Sequence, residues 1–330
     1  MAKQWTLRAR PQGELTVDIF SLETTPDAPL NDGEIRVRNR WISVDPFMRG
    51  MLDDHGSYMP TLPLGSPMKG GAVGEVIESR SAAAPIGSVV SHNEGWGDQA
   101  VLAGAAATVI GFDDVPEQHF LGQFGMPGAT GYFGLCHAAE AKAGETLFVS
   151  SAAGAVGSTV VQIAKAIGMR VIGSAGGAAK CDAVRALGAD AMIDYKAPGD
   201  LSSKLKEAAP EGIDVYFDNV AGDHLLAAID NARTHMRVTL CGMISGYGDH
   251  ADLCIRDPMR LVNQRIRLQG YFAPDYYGFK PKFLDDMRRW YLEGALQCPQ
   301  VVHEGLDNVP IAFLSLFTGD NGVGKVLVKL

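Results

Sequence analysis

One stretch of this chain, from Glu145 to Gly173, constrains the possible folds more than any other. It begins with Thr146 to Ser150, a short, largely apolar run of the length expected for a buried parallel strand. A turn of small residues follows, and then apolar residues recur at helical spacing at Val156, Val160, Ile163 and Ile167. Gly168 ends this helix, and Arg170 to Ser174 has the character of a second strand. The stretch therefore predicts a strand–helix–strand crossover, the unit from which parallel sheets are built.

The turn of this unit carries the pattern Ala152-x-Gly154-x-x-Gly157, a dinucleotide fingerprint whose first glycine is replaced by alanine. In dinucleotide-binding folds, backbone N–H groups of the first strand–helix turn approach a pyrophosphate. Gly154 is expected to permit that approach, and Gly157 to let the helix pack closely on the strand. A tight turn that binds nothing is the alternative, but the position between strand and helix favours dinucleotide binding.

Length and composition narrow the class of protein. The chain has 330 residues, a length typical of two domains, with 46% apolar and 20% charged residues, which is ordinary for a soluble globular protein. Its formal net charge of −9 argues against nucleic-acid or anionic-membrane partners. Neither a signal-peptide apolar core nor an apolar run of about 18 residues is visible. The five cysteines are scattered, which indicates reduced thiols in a cytoplasmic protein.

The first 120 or so residues are expected to form short strands. Leu15 to Ile19 and Ile35 to Val37 alternate between apolar and polar side chains, as half-buried strands do. Further short apolar runs lie at 72–77, 86–90 and 99–102, separated by glycine and proline. This spacing predicts a small barrel or sandwich. The tail from Val301 to Leu330 returns to strands, so we expect the last residues to complete the first domain.

Between these strands lies the segment from Val44 to Gly50, a proline-marked turn that contains Phe47 and Arg49. An aromatic side chain and an arginine in such a turn could line a substrate cleft. The same segment could instead form a corner of the barrel, and the sequence leaves both interpretations open.

From Gly125 onward the pattern changes to alternating helices and strands. A helix rich in small residues begins at Gly125, and a long amphipathic helix is marked by Phe279, Phe283, Met287 and Trp290. Further strands are predicted at 191–193, 213–217, 237–240 and 266–271. This alternation predicts a doubly wound parallel sheet.

The end of the second strand of that sheet bears on the choice of cofactor. NAD-dependent enzymes usually carry an acid there, which bonds the ribose 2′-hydroxyl. This chain has Ser174, Ala175 and two glycines at that point, with Lys180 just beyond and Tyr195 after the third strand. A missing acid and a nearby cation suit a 2′-phosphate and therefore NADP. A solvated lysine at the start of a helix is the alternative explanation for Lys180.

Other chemistries receive little support from the sequence. The histidines show no HExxH pattern and the cysteines form no quartet, so no metal is expected. No GxSxG elbow is present, which argues against an α/β-hydrolase. Tyr276-x-x-x-Lys280 imitates the pair of short-chain dehydrogenases, but the TGxxxGxG turn of that family is missing, so we treat the match as coincidence.

With these residues in hand, the chain resembles the zinc-independent medium-chain reductases of the prostaglandin reductase, alkenal double-bond reductase and curcumin reductase group. The motifs that carry this resemblance are SVDPFMRG, GMPGATGYFG, AAGAVGS, YFDNV, CGMISGY and GDNGVGK. The resemblance implies a GroES-like β-barrel substrate domain from residues 1–121 and 300–330, and a Rossmann domain from residues 122–299. It further implies NADPH-driven reduction of the carbon–carbon double bond in α,β-unsaturated aldehydes and ketones. We expect a cytoplasmic homodimer that acts on a small enal or enone.

The same resemblance assigns site residues by position. It places the pyrophosphate on Gly154, Ala155, Val156 and Gly157, and the 2′-phosphate on Lys180 and Tyr195. Further cofactor contacts, mostly around the nicotinamide half, match Asn219, Cys241, Gly242, Ile244, Ser245, Tyr247, Tyr271, Phe272, Ala273 and Asn321. One departure concerns the substrate, because the family usually has tyrosine where this chain has Phe47.

In the implied reaction a hydride passes to the β-carbon of the substrate, and a proton then reaches the α-carbon. The protein must donate a hydrogen bond to the carbonyl oxygen as negative charge develops there. Tyr247 is our candidate for this catalytic donor and for a substrate contact, with a purely packing tyrosine as the alternative. Two other functions stay open on the sequence alone, a related NADPH:quinone reductase and a non-enzymatic NADPH-binding sensor.

Overall fold

The computed structural model describes residues 1–53, 59–244, 255, 257–319 and 321–330. Within these residues the chain forms two compact units. The first consists of Met1–Leu121, Gln300–Asn321 and Lys325–Leu330. The second consists of Gly122–Pro299 together with three residues from near the end of the chain, Gly322–Gly324.

The strands and helices are numbered here in chain order. The strands are β1 Ala2–Leu7, β2 Phe20–Thr25, β3 Glu34–Ser43, β4 Ala72–Ser79, β5 Val89–His92, β6 Gln99–Ala103, β7 Thr108–Val109, β8 Thr146–Val149, β9 Arg170–Ala175, β10 Ala191–Asp194, β11 Ile213–Asp218, β12 Ala232–Leu240, β13 Arg267–Gly270, β14 Gln300–Glu304 and β15 Lys325–Lys329. The helices are α1 Met126–Phe133, α2 Ala155–Ala166, α3 Ala178–Ala186, α4 Leu201–Ala208, α5 Gly222–Asp230, α6 Met259–Asn263, α7 Lys280–Leu292 and α8 Val309–Thr318. Among the described helices, none combines the length and the apolar character needed to cross a membrane.

The first unit is built on a mainly antiparallel sheet. In the described residues its strands run in the order β14-β15-β3-β4-β5-β7, β6 also pairs with β3, and β1 and β2 form a separate pair. The long strand β3 contains the predicted strand at Ile35 to Val37, but burial there does not alternate, because Ile35, Arg36 and Val37 are all buried. Trp96 anchors a second cluster, with its ring 5.2 Å from that of Phe20 and 5.5 Å from that of Phe313.

One sequence prediction in this unit is wrong and another is incomplete. The stretch predicted as a strand at Leu15 to Ile19 ends in a 3₁₀ turn at Val17–Ile19, and β2 starts only at Phe20. The carbonyl of Ile19 accepts bonds from the Arg8 and Ala9 N–H groups, so this segment joins no regular ladder.

The tail returns to strands as predicted, with β14 and β15, but it also contains helix α8 between them. Val309, Ala312 and Phe313 recur at helical spacing on the buried face of this helix, a signal that the sequence prediction missed.

The segment from Val44 to Gly50 forms a corner of this unit. Pro46–Met51 is a 3₁₀ helix, and Val44 and Met48 are fully buried in the core. The buried Lys325 ammonium donates to the Val44 carbonyl at 2.6 Å and to the Asp45 carboxylate at 2.7 Å. Phe47 is half-buried and packs against the same core. This packing is what the corner interpretation predicts, and the substrate contact of the half-buried Phe47 stays a prediction.

The second unit is an α/β layer structure. Its sheet is parallel, with six strands in the described residues, in the order β10-β9-β8-β11-β12-β13. Counted from β8, this is the 3-2-1-4-5-6 order of doubly wound dinucleotide folds. All four residues of β8 are buried, as expected for a strand covered on both faces. The predicted α/β fold class, a doubly wound sheet beside a separate β-rich unit, is confirmed.

Candidate dinucleotide site

The turn between β8 and α2 has the shape that the glycine pattern predicts. Gly154 is the residue that precedes α2. A Cβ atom on Gly157 would lie 2.2 Å from the Ser151 carbonyl oxygen and 2.8 Å from Ala152 Cα, so only glycine fits there. A Cβ on Gly154 would meet nothing closer than Ser151 Oγ at 3.2 Å. Gly157 therefore lets α2 pack closely on the turn that follows β8.

The closing GDNGVGK motif reaches this turn. The Gly324 N–H donates to the Ala153 carbonyl at 2.8 Å, and Gly324 pairs with Gly154 in an isolated bridge. Gly324 has a φ of +93°, and a Cβ there would lie 2.0 Å from the Pro299 carbonyl oxygen. This glycine is therefore required for the chain end to support the turn.

The carboxyl ends of β9 and β10 are joined through Asp194. Its Oδ1 accepts hydrogen bonds from the Gly177 N–H at 2.8 Å and from the Lys196 N–H at 2.9 Å. These backbone donors lower the pKa of Asp194 below its ordinary value. We call this arrangement, made of Asp194, Gly177 and Lys196, the Asp194 clamp. It fixes the loop after β9 against the loop after β10.

Two side chains lie across the end of β9. A Cβ on Gly176 would be 2.8 Å from the Tyr195 hydroxyl and 3.0 Å from Lys196 Cε, so the missing side chain leaves room for both. The Tyr195 ring is 45% exposed and packs edge-on against His224 at 5.4 Å. Lys180 lies in the first turn of α3, which starts just beyond this point.

The carboxyl end of β11 is organised by Asp218, which is fully buried. Its Oδ1 accepts bonds from four donors, and its main-chain carbonyl accepts from the N–H groups of Cys241 and Gly242 at 2.9 and 3.0 Å. The four donors to Oδ1 are Tyr216 OH at 2.6 Å, Ala221 N–H at 2.8 Å, Val220 N–H at 2.9 Å and Ser150 OH at 3.2 Å. We call Asp218, Ser150 and Tyr216 with these loop N–H groups the Asp218 network.

Residues after β12 and β13 complete this edge of the sheet. The Tyr271 N–H donates to the Leu240 carbonyl at 3.2 Å, and its hydroxyl donates to the Thr130 carbonyl at 3.0 Å. Burial, with a smaller contribution from Asp218, raises the pKa of the Cys241 thiol to about 12, so the thiol stays protonated at neutral pH. Ser245 and Tyr247, both predicted cofactor contacts, lie outside the described residues.

Comparison with known proteins places this geometry in a family. Residues 3–110 match the N-terminal domain of oxidoreductase family, and residues 155–289 match the zinc-binding dehydrogenase family. Mouse prostaglandin reductase 1 is 38% identical over 334 residues, which cover 99% of each chain. The NADP⁺-dependent 2-alkenal reductase of Nicotiana tabacum is 36% identical over 320 residues, covering 96% of this chain and 93% of the tobacco protein.

This chain belongs to the medium-chain reductases of the prostaglandin and alkenal reductase group. A solved structure supports the assignment, since CurA of Vibrio vulnificus in complex with NADPH superposes with a TM-score of 0.92 at 38% identity. That match covers 99% of this chain and 98% of the other. The resemblance inferred from the motifs is confirmed.

In this medium-chain reductase, most of the predicted site residues that the structure describes lie in the second unit. Gly154 to Gly157 form the start of α2, and Asn219, Cys241, Gly242 and Ile244 follow β11 and β12. Tyr271 to Ala273 follow β13, and Phe272 is 46% exposed. Phe47 and Asn321 belong to the first unit.

Sequence reasoning missed the residues that hold these loops in place, Asp194, Lys196, Ser150 and Asp218. One signal was available, because Asp218 lies inside the YFDNV motif at the end of a strand, where a buried acid needs several donors. For Asp194, the Lys196 N–H is a local partner, but the Gly177 N–H comes from the end of another strand, and no sequence spacing indicates it.

The residues present fit a phosphorylated dinucleotide. The first N–H groups of α2 have no acceptor within the helix, and the missing side chain at Gly154 lets an anion approach them. The end of β9 carries no acidic side chain and lies beside Lys196 and Tyr195. Within the described ranges no group of three or more His, Cys, Asp or Glu side chains could hold a metal ion. That this reductase works without a metal stays a prediction from the sequence.

Proposed function

We propose that this protein is an NADPH-dependent reductase of the carbon–carbon double bond in α,β-unsaturated aldehydes and ketones. One observation carries the proposal, namely a glycine turn at the switch point of a doubly wound sheet whose second strand ends without an acid. The relatives support it, since one is named for NADP⁺-dependent 2-alkenal reduction and a 38% identical solved structure contains NADPH.

When bound, NADPH would supply a hydride from the nicotinamide ring to the substrate β-carbon, becoming NADP⁺. The chain's own residues supply the binding and the orientation. The start of α2 would hold the pyrophosphate, while Lys180 and Tyr195 would hold the 2′-phosphate through charge and hydrogen bonding. The loops after β11 and β12 would orient the nicotinamide half, with Asn219 and Gly242 among their residues.

We assign stabilisation of the carbonyl oxygen to Tyr247. In the sequence, Tyr247 follows the last residue of β12 by a few positions, within the motif CGMISGY. As hydride reaches the β-carbon, the carbonyl oxygen gains negative charge. A phenolic O–H binds this charged oxygen more strongly than the neutral carbonyl oxygen of the substrate, so it lowers the barrier. A proton from water would then complete the product at the α-carbon. Phe47 is proposed to contact the substrate through its ring alone.

The variant Tyr247→Phe tests this role. If the hydroxyl acts only as charge develops, kcat and kcat/KM should fall together by roughly 10- to 1,000-fold, with NADPH affinity unchanged. The ring remains in the variant, so a tyrosine that merely packs would leave turnover nearly intact. A kcat within about twofold of wild type, with NADPH and enone saturating, would remove Tyr247 from the mechanism.

The proposed reaction is tested by measuring NADPH oxidation against enals, enones and quinones, with identification of the products. We expect the saturated aldehyde or ketone from enals and enones, and a clear preference for NADPH over NADH. Turnover of quinones alone would instead indicate a quinone reductase. Tight NADPH binding without turnover of any compound would indicate a sensor.

We also propose that the protein is a homodimer. In the described residues β13 pairs only with β12, so its other edge is open, and Leu268 on that strand is 36% exposed. Open strand edges of this kind are templates for pairing with another chain. Sedimentation should give twice the chain mass of 35.2 kDa. A monomer at micromolar concentration would contradict the proposal.

A cytoplasmic location is proposed from the cysteines. Cys136, Cys181, Cys241 and Cys298 are free thiols, as is usual in a reducing compartment. Burial raises the pKa of Cys136 and of Cys298 to about 12, which keeps these thiols protonated and unreactive. Cell fractionation followed by immunodetection tests the location.

A further inference from the structure

The most densely bonded polar side chain at the carboxyl edge of the sheet is Asp218, which none of the assigned cofactor contacts includes. It is 0% exposed, and four donors converge on its Oδ1. Two of them are side-chain hydroxyls, Ser150 and Tyr216, and two are backbone N–H groups, Val220 and Ala221. A buried carboxylate is costly unless donors surround it, and the four bonds to Oδ1 meet that requirement.

Asp218 also joins loops that are distant in sequence. Ser150, which donates to Asp218, follows β8 and leads into the glycine turn, and its Oγ accepts the Asn219 N–H at 2.9 Å. The Ser150 carbonyl accepts the Asn219 side-chain amide at 2.8 Å. The Asp218 carbonyl holds the N–H groups of Cys241 and Gly242 after β12. One residue therefore fixes the loops after β8, β11 and β12 relative to one another.

One residue that donates to Asp218 has an unusual backbone conformation. Ala221 has a φ of +63°, a left-handed conformation that is uncommon for a residue with a side chain. Its N–H donates to Asp218 Oδ1 at 2.8 Å, so the carboxylate helps to hold this conformation. Burial raises the pKa of Tyr216 well above its ordinary value, so its hydroxyl keeps the proton that it donates to Asp218. Such strain persists where surrounding bonds over-determine the loop.

The topology indicates which part of a dinucleotide these loops face. A doubly wound sheet consists of two mononucleotide halves, and the half built from the first three strands, here β8 to β10, takes the adenosine end. The half built from β11 to β13 takes the other end. Asn219, Cys241 and Gly242 all belong to the loops of that second half.

We propose that Asp218 is a positioning residue, which presents Asn219, Cys241 and Gly242 to the nicotinamide half of the cofactor without touching the cofactor itself. This inference rests on the proposed NADPH-dependent function. A merely structural role would not single out one half of the dinucleotide. The positioning role predicts that only interactions with the nicotinamide half are weakened when Asp218 is replaced.

The test compares two ligands, NADPH and 2′,5′-ADP, which carries the adenosine half and the 2′-phosphate but no nicotinamide. Binding is measured by calorimetry on the full chain. In Asp218→Asn the amide oxygen can still accept at the Oδ1 position, and the amide nitrogen takes the place of Oδ2, which accepts no bond among the described residues. The fold should therefore survive, while bonds to a neutral acceptor are weaker than those to a carboxylate.

We expect Asp218→Asn to weaken NADPH binding about tenfold, the effect of weakening several charge-assisted bonds, and to leave 2′,5′-ADP binding within about twofold. Ser150→Ala should weaken NADPH binding about threefold, because the Asn219 N–H loses the Ser150 hydroxyl as its acceptor. Alanine is close to serine in size, so packing should be little changed. Ser150→Ala carries the test if the Asp218 variant does not fold.

Asp214→Asn provides a matched control on the same strand. Asp214 accepts the Thr146 N–H at 2.8 Å and also ties β11 to β8, but at the opposite end of the strands from the site. The variant Asp214→Asn should lower the thermal stability of the protein and leave its affinities for NADPH and 2′,5′-ADP unchanged. If Asp218→Asn and Ser150→Ala weakened the binding of NADPH and of 2′,5′-ADP equally, the positioning role would be overturned while the proposed function stands. The same conclusion would follow if neither variant weakened NADPH binding. Failure of the wild-type protein to bind NADPH would overturn both.

Discussion

Two aspartates end strands of the same parallel sheet, yet they organise the edge of that sheet in different ways. Asp194 ends β10 at a half-exposed position and accepts two backbone N–H groups at one oxygen. Asp218 ends β11, is fully buried, and accepts four donors at one oxygen. Asp194 holds the loop after β9 beside the exposed side chains of Tyr195 and Lys196. Asp218 holds the residues that follow β8, β11 and β12 together through buried hydrogen bonds.

The difference has a physical reason. A phosphate group is charged and hydrated, so a site for it needs cations and N–H groups that water can reach before binding. A reacting ring must be held in a fixed orientation, and buried hydrogen-bond networks are stiffer because low polarity strengthens each bond. The Asp194 clamp therefore suits affinity and cofactor choice, and the Asp218 network suits orientation.

The largest effect is expected at the glycine turn, which lies between the two regions and serves both. In Gly157→Ala the new Cβ would be 2.2 Å from the Ser151 carbonyl oxygen, so backbone must shift. We expect a loss of about 3 kcal/mol in the free energy of unfolding and loss of both NADPH and 2′,5′-ADP binding. Gly154→Ala, whose Cβ would meet Ser151 Oγ at 3.2 Å, should keep its stability but bind both ligands weakly. Equal stability of the two variants would contradict this account of the turn.

The next largest effect is expected from the lysines near the Asp194 clamp. Unlike the Asp218 variants, these lysine variants should weaken binding of the adenosine half. Lys180→Ala should weaken binding of both NADPH and 2′,5′-ADP about tenfold and leave NADH nearly unchanged, since a charged bond to phosphate contributes roughly 1.5–3 kcal/mol. Lys196→Ala should also weaken binding of both ligands, but only about threefold, because an exposed cation is screened by water. Equal losses for NADPH and NADH would exclude a 2′-phosphate role for either lysine.

The smallest effect concerns the pH dependence of stability at the Asp194 clamp. The Gly177 and Lys196 N–H groups lower the pKa of Asp194 in the folded state, so its stabilising contribution is present above the unfolded pKa, near 3.8. It is lost as the pH falls through the folded pKa. The unfolding free energy of Asp194→Asn, measured in urea, should therefore lie below wild type near about pH 6 and approach it as the pH falls below about 4. A difference independent of pH would contradict the clamp.

Much of the second unit could be predicted from the sequence because its signals are local. The strand at Thr146, the small-residue turn and the helical stripe from Val156 each follow from neighbouring residues. The tail was harder, because helix α8 lies between two strands and only Val309, Ala312 and Phe313 mark it by their spacing. The Asp194 clamp and the Asp218 network could not be predicted in full, because the donors that join separate strands, Gly177 to Asp194 and Ser150 to Asp218, meet these aspartates only in the sheet.

The central claim is that this protein delivers a hydride from NADPH to the β-carbon of an enal or enone. The direct measurement uses NADPH deuterated at nicotinamide C4 on the transferred face, with the product analysed by NMR. We predict one deuterium at the β-carbon of a saturated carbonyl product, with the α-carbon labelled only when the reaction is run in D₂O. Deuterium on the carbonyl carbon of an unsaturated alcohol, or none in the product, would contradict the account.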